Sequence, residues 1–524
     1  MRPIIQGFGY LLSSRVQRFH RALDHPQKAQ QAVQSKLCDR LRATAYGQAH
    51  GIESPQDWQR LPIVDYDNLQ PWIADQIRNP QSSILTPEPI LFCEKTSGSR
   101  GAAKQIPYTR SLRQSFSHLF CIWAHDLIRY GPSFSTGKVY FCVSPKLAEL
   151  HDSPSSDSSA APALQSLQDD SEYLDPWLQR LLSPFLVSLP QLERLRTADE
   201  FKFALAFKLL SEPRLEIISV WSPSFLTVLL DFIEIHRENL DQHLGDRLSS
   251  SRRSALAASP PVWTDLWPHL KLISCWDSAR AADSAETVRS LFPTVLVQGK
   301  GLLATEAPIT VPLVAAQGQV PLLDEVFFEF EADDGTLYQL HELALGAEYS
   351  VILSQTGGLY RYRMGDRVRV TRRYRQTPCL EFLGRTHAVS DLVGEKLHED
   401  FVAEALQQLK RCGGLEQTRF MSLVPTLEPR PGYVLLLDHA EGKPGAIATA
   451  LDSALSQAHH YNHARLLGQL APAKVIATPQ IIERLSQHRI QNGQVWGDLK
   501  YGCLETRPLS ASLLEKCAEI ESHG

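Results

Sequence analysis

Apolar positions recur at helical spacing in some stretches of the chain and in short continuous runs in others. Residues 12–47 alternate charged and apolar positions as a helix does, with Pro26 marking a break or the start of a second helix. Residues 58–77 follow with the run LPIVDYDNLQPWI. Between Gly101 and Tyr130, Leu112, Phe116, Leu119, Phe120 and Trp123 share one face of a predicted helix. The runs KVYFCVSP (Lys138–Pro145), EIISVW (Glu216–Trp221), KLISCW (Lys271–Trp276) and TVLVQ (Thr294–Gln298) are short, apolar and β-branched. Ser222 then suits an N-cap and Pro223 a first helical position, opening a helix through His236. Strands of this kind separated by helical segments predict a mostly parallel sheet, and hence an α/β fold.

From about residue 320 to 385 the texture changes. EVFFEFE, TLYQLHEL, EYSVILSQ, LYRYRMGDRVRVTRRY and CLEFLG follow one another closely, divided by Gly and Asp turns. This predicts an antiparallel, barrel-like subdomain. Beyond Arg385, residues Phe401, Val402, Ala405, Leu406, Leu409 and Cys412 form one apolar helix face stopped by Gly413 and Gly414. A strand–turn–strand, a helix near 445–467, a strand at AKVIAT and a last helix near 479–490 complete a small α+β unit. The expected division is a large N-terminal domain, 1–385, and a C-terminal α+β domain, 386–524, joined by a hinge. There is no internal repeat. His151–Tyr173 is Ser-, Asp-, Pro- and Ala-rich and reads as a mobile loop or lid.

Composition narrows the function classes. A chain of 524 residues has room for two or three domains, and 43% hydrophobic with 21% charged residues is ordinary for a soluble globular protein. A net charge of −5 supplies no bulk basic field for nucleic acid or an anionic membrane. The nine cysteines are scattered with no C-x-x-C pair, which points to reduced thiols in a cytoplasmic compartment and to neither a disulfide frame nor a zinc site. The N-terminal run has no long apolar core or small-residue cleavage site, so no signal peptide is expected. No segment approaches the roughly 18 apolar residues of a membrane span.

The candidate chemistry begins at Thr96–Lys104, TSGSRGAAK. Gly98 and Gly101 let a backbone approach closely and turn its N–H groups inward. The hydroxyls of Thr96, Ser97 and Ser99 add donors, and Lys104 adds a mobile charge, a combination suited to a polyphosphate. It is not a Walker loop, and alone it also fits a Ser/Gly surface loop. QGKGLLATE (Gln298–Glu306) follows the strand TVLVQ, where ligands of open α/β sheets bind. A carboxylate there can hold Mg2+ on phosphates, or can simply cap a helix. YRYRMGD (Tyr360–Asp366) places a carboxylate after a glycine turn, able to accept two ribose hydroxyls or to pair with Arg363 or Arg367. Gly384-Arg385 falls where the texture changes, and Lys500 lies in the Gly-rich stretch GQVWGDLKYG.

The order of these motifs is that of the acyl-adenylating superfamily. More specifically, TSGSRGAAKQIPYT, GLYRYRMGD, GQVWGDLK and LPIVDYDNLQPWI resemble the acyl-acid amido synthetases known from plants as the auxin-responsive Gretchen Hagen family, and look most like their bacterial relatives. The resemblance runs from about residue 40 to 507 and implies ATP and Mg2+ as cofactors. It also implies a small carboxylic acid and an amine, an amino acid, as substrates; from charge and composition no nucleic acid or membrane partner is expected, and no obligate protein partner is inferred. It implies that Thr96, Ser97, Gly98, Ser99, Gly101 and Lys104 hold the β- and γ-phosphates, and that Thr305 touches the α-phosphate. Glu306 would bind Mg2+, Asp366 the ribose, and Arg385 would lie at the hinge near the nucleotide. Lys500 would bridge the acid and the α-phosphate, so Lys500 and Lys104 are the candidate catalytic residues.

Three positions depart from the family pattern. Arg100 stands for the usual Thr/Ser, Ala103 for Pro, and Leu302 for an adenine-stacking Tyr, which would leave adenine to pack on aliphatic surface. Two alternatives stay open: an acyl-CoA ligase sharing the same first step, and a catalytically silent nucleotide- or metabolite-binding homologue.

Overall fold

The computed structural model describes residues 2–95, 104–142, 174–189, 197–385, 389–390, 392–393, 395, 397–412, 415–428, 430–466, 469–491, 499 and 501–518. The segment His151–Tyr173 lies outside them. The described residues fall into two compact units, one within 2–384 and one from 385 onward.

In the first unit, four of the expected strands build one sheet in chain order, Lys138–Phe141, Leu215–Ser219, Leu272–Cys275 and Leu296–Gly299, all parallel. Every residue of Leu272–Cys275 is buried, as an inner strand covered on both faces requires. The intervening helices include Pro223–Ile235, whose proline occupies the first turn where its missing N–H costs nothing. Glu216 ties down the amino edge of this sheet. Its side chain is fully buried and accepts from Ser135 N–H at 2.8 Å, Thr136 N–H at 2.8 Å, Gly137 N–H at 2.7 Å and Lys271 Nζ at 2.9 Å.

The region after residue 320 is antiparallel as expected. Its five strands run in the order Leu337–Gln339, Phe327–Glu331, Glu348–Ser354, Tyr362–Tyr374 and Thr377–Arg385, an open sheet with two edges. Thr310–Leu313 and Gly318–Pro321 pair separately. The N-terminal helix Arg2–Asp24 is clasped to this unit by Arg18, which contacts Asp324 Oδ2 at 3.0 Å and also pairs with Glu325. His118 Nε2 lies 2.9 Å from the same Asp324 oxygen. Burial works against the Asp324 charge, but His118 and Arg18 hold its carboxyl below the usual range.

One further pair of strands, Phe92–Lys95 and Gln105–Tyr108, is antiparallel. Beneath it Phe92, Ile106, Tyr108 and Leu112 form a small apolar core. Thr109 follows directly and caps the helix Arg110–Tyr130, its Oγ1 accepting from Leu112 N–H at 3.2 Å.

The second unit has a three-stranded sheet. Gly432–Leu437 pairs antiparallel with Met421–Thr426 and parallel with Lys474–Ala477. Helix Glu399–Cys412 covers it with the apolar face read from the sequence, Val402, Ala405, Leu406 and Leu409. The stretch expected as one helix near 445–467 is two, Pro444–Leu455 and His459–Leu466. A helix at Ala511–Ala518 closes the described chain.

Burial alone would raise the Glu216 carboxyl, but Lys271, Ser135 and the Gly137 N–H hold it down to about 2. A depressed folded value means stability that is present above the ordinary glutamate range and lost as pH falls towards 2. Denaturant unfolding followed from pH 6 to 2 should therefore show a decline that Glu216→Gln flattens. Glu216→Ala, which leaves the Ser135, Thr136 and Gly137 N–H groups without their buried acceptor, should cost about 3–5 kcal/mol at pH 7.

Candidate active site

The candidate site groups of the first unit are tied to the strands Gln105–Tyr108 and Tyr362–Tyr374. Lys104 directly precedes the strand Gln105–Tyr108. Its ammonium donates to Tyr362 Oη at 3.2 Å and lies 5.3 Å from the Tyr66 ring centre and 5.8 Å from that of Tyr362. Tyr66 is itself fixed, its hydroxyl accepting from Gln105 N–H at 2.9 Å. Lys104 is thus held by two tyrosines at the foot of the candidate phosphate loop. Thr96, Ser97, Gly98, Ser99 and Gly101 lie outside the described residues, as do Arg100 and Ala103.

Thr305 and Glu306 form the turn between the short strands Leu303–Ala304 and Ala307–Pro308. The turn is pinned from both sides. Tyr108 Oη donates to the Thr305 carbonyl at 2.7 Å, and Gln355 Nε2 to the Glu306 carbonyl at 3.1 Å. Thr305 is half-buried and Glu306 is buried. A carboxylate here is a hard oxygen donor of the kind Mg2+ takes, so the residue fits that ion.

Asp366 lies within the long strand and not at a hairpin turn. Ser350 pairs with Arg367 and Ile352 with Arg363, so Met364, Gly365 and Asp366 together face Val351 in a bulge. Gly365 takes φ +81° there, a conformation costly for any side chain. The bulge re-aims the carboxylate. Neighbouring arginines have their own partners: Arg363 contacts Glu331 at 2.7 Å, and Arg367 contacts Asp333 at 3.1 Å and Glu348 at 3.3 Å.

A buried ion pair sets the start of this strand. Arg361, itself at φ +46°, reaches Glu329 with Nε at 3.0 Å and Nη2 at 2.9 Å, and Leu61 O with Nη1 at 2.8 Å. Trp58 Nε1 donates to the same carboxylate at 3.3 Å. The main chain on either side pairs with Val64: Val64 N–H donates to Arg361 O at 3.1 Å, and Arg363 N–H to Val64 O at 2.8 Å.

Leu302 is buried in the main core, and its N–H donates to Thr310 Oγ1 at 2.7 Å. Arg385 ends the strand Thr377–Arg385, after Gly384 at φ +139°. Lys500 lies outside the described residues. In the second unit its neighbour Leu499 is buried, and Tyr501 is held by Ser486 at 2.6 Å and by Arg489 at 4.5 Å from its ring. Residues 503–505 run beside the strand Met421–Thr426 through Leu423. Motif reasoning leaves out Tyr66, Tyr108 and Gln355. Tyr108 was legible only as part of QIPYT, and Gln355 carried no signal.

The GH3 family N-terminal domain matches residues 15–259, its central domain 319–385 and its C-terminal domain 398–508. This chain belongs to the GH3 family. The probable indole-3-acetic acid-amido synthetase GH3.11 of Oryza sativa subsp. japonica is 22% identical over 479 residues, covering 78% of each chain. The indole-3-acetic acid-amido synthetase GH3.2 of Arabidopsis thaliana is 20% identical, covering 79% of this chain and 84% of the relative. In fold, the chain matches the solved AtGH3.15 acyl acid amido synthetase in complex with 2,4-DB with a TM-score of 0.80 at 16% identity, covering 97% of this chain and 95% of that one. In this chain the stretch GLYRYRMGD and Lys104 meet through the Lys104–Tyr362 hydrogen bond.

Arg361→Leu leaves the Glu329 carboxylate buried without its guanidinium. It should lower stability by about 3–5 kcal/mol in urea unfolding. Gly365→Ala meets nothing within 4 Å, so its expected cost is only the conformational one, roughly 1–2 kcal/mol.

Proposed function

We propose that this GH3 ligase activates a small carboxylic acid as an acyl-adenylate and transfers the acyl group to an amine, an amino acid, forming an amide. The observation that carries the reading is the common frame. Tyr108 pins the Thr305–Glu306 turn, and Lys104, directly before the same strand, meets Tyr362 four residues before Asp366. Residues far apart in sequence and suited to phosphate, metal and ribose thus share one scaffold.

In this reading Lys104 and the stretch before it hold the β- and γ-phosphates, Thr305 the α-phosphate and Asp366 the ribose hydroxyls. Glu306 would hold Mg2+, which supplies charge neutralisation on the phosphates when bound. A carboxylate repels nucleophiles, so it needs a leaving group. One of its oxygens attacks the α-phosphorus of ATP, the bond to the β-phosphate oxygen breaks, and pyrophosphate leaves. Lys500 and Lys104 offset the negative charge that crowds at phosphorus, which is electrostatic catalysis. The amine nitrogen then attacks the acyl carbon and loses a proton, and AMP leaves with the bonding pair. A hinge at Gly384-Arg385 would withdraw Lys500 between the two steps. The compartment we assign is cytoplasmic, supported by scattered thiols; among the described residues no helix is long and apolar enough to cross a membrane.

The test is acid-dependent pyrophosphate release from ATP and Mg2+ across aromatic and aliphatic acids, followed by product mass with amino acids or CoA. Release should fall by about 100-fold or more in Lys500→Ala and Asp366→Ala. A thioester product would move the assignment to an acyl-CoA ligase. ATP binding without release for any acid would favour a silent homologue.

A further inference from the structure

The carboxyl edge of the parallel sheet carries a cluster that the adenylation reading leaves unused. The adjacent strands Leu215–Ser219 and Leu272–Cys275 run out into Trp221 and Trp276, whose ring centres lie 5.7 Å apart at 43°. The next strand, Leu296–Gly299, runs out into Lys300. The main chain keeps the three residues in step: Trp276 N–H donates to Trp221 O at 2.9 Å and Lys300 N–H to Cys275 O at 3.0 Å. The Lys300 ammonium lies 4.9 Å from the Trp221 ring centre and donates to Ser219 Oγ at 2.6 Å. All three side chains are half-buried.

The strand end that aims Lys300 is itself fixed. A Cβ on Gly299 would lie 2.0 Å from Asp277 Oδ1, so only glycine lets that carboxylate pack on the main chain. Arg289 balances the Asp277 charge from 3.4 Å. The frame also reaches the helix Arg110–Tyr130, because Trp123 Nε1 donates to Gln298 Oε1 at 2.9 Å.

Flat indole faces at a sheet's carboxyl edge suit a planar ring, and a positioned ammonium beside them suits an anion. The reacting carboxylate already has a lysine in the adenylation reading, Lys500. The geometry points to an acid-selecting subsite in which Trp221 and Trp276 receive the ring of the substrate and Lys300 receives a second anionic substituent on it. This inference rests on the adenylation reading. The substrate class is an aromatic acid with two anionic groups, one activated and one retained.

The experiment compares isosteric pairs in the adenylation step without amine: terephthalate against 4-carbamoylbenzoate, and 4-sulfobenzoate against 4-sulfamoylbenzoate. Wild type should favour the dianion in kcat/KM by about tenfold or more, the scale of a hydrogen bond to a charged group. Lys300→Met should abolish the preference and Lys300→Arg restore it, while Trp221→Leu should weaken every ring acid. A preference unchanged in Lys300→Met overturns the inference. So does an equal loss for both members of a pair, or an effect confined to the amino-acid KM of the second step. If no acid supports pyrophosphate release, the adenylation reading fails separately, and tryptophan fluorescence decides this one. Quenching by terephthalate that is lost in Lys300→Met and Trp221→Phe would uphold the subsite, and its absence in wild type would overturn it.

Discussion

The candidate site depends on one buried ion pair, Arg361 with Glu329. Two charges withdrawn from water cost several kcal/mol each unless their hydrogen-bonding capacity is met, at roughly the level a small domain's whole stability can spare. Here it is met on both sides. The guanidinium spans both carboxylate oxygens and the Leu61 carbonyl, and Trp58 adds a donor to the carboxylate. The pair also explains a non-glycine residue at positive φ, since turning Arg361 inward sends the next residues back along Val64 and into the sheet. Tyr362 then stands where Lys104 reaches it, and the bulge at Gly365 sets Asp366.

The rest of the first unit repeats this logic with milder partners. Lys104 is oriented by two tyrosines, and the Thr305–Glu306 turn by Tyr108 and Gln355 through its carbonyls. Fixing a turn by its main chain leaves the hydroxyl and carboxylate side chains for chemistry. Preorganisation of this kind is what electrostatic catalysis requires, because dipoles already in place need not reorganise as charge develops. Glu216 anchors the amino edge of the parallel sheet, a buried carboxylate that accepts from main-chain donors and from Lys271.

Much of the architecture was legible in local pattern. The parallel strands at 138, 215, 272 and 296 appear as β-branched runs between helical stretches, and the antiparallel region as closely spaced strands. The errors have physical causes. The strand pair Phe92–Lys95 and Gln105–Tyr108 is only four residues long on each side, too short for alternation to show. The break between Leu455 and His459 has no proline or glycine to announce it. Asp366 looked like a turn residue because glycine before aspartate usually is one, whereas here the glycine opens a bulge inside a strand.

What the sequence by itself determined is the set of chemical groups and their order. The loop of small hydroxyls and glycines, the Thr-Glu pair, the Gly-Asp pair and the late lysine can be read without a structure, because residue type alone limits what each can bind. What only the tertiary structure decided is which partners orient them. Tyr66 lies 38 residues before Lys104 and Tyr362 lies 258 after it, and Gln355 is 49 residues from Glu306. Contacts at that separation leave no periodicity in the chain. They exist because folding closes long loops whose entropic cost grows only slowly with length, and burial of the surrounding core outweighs that cost.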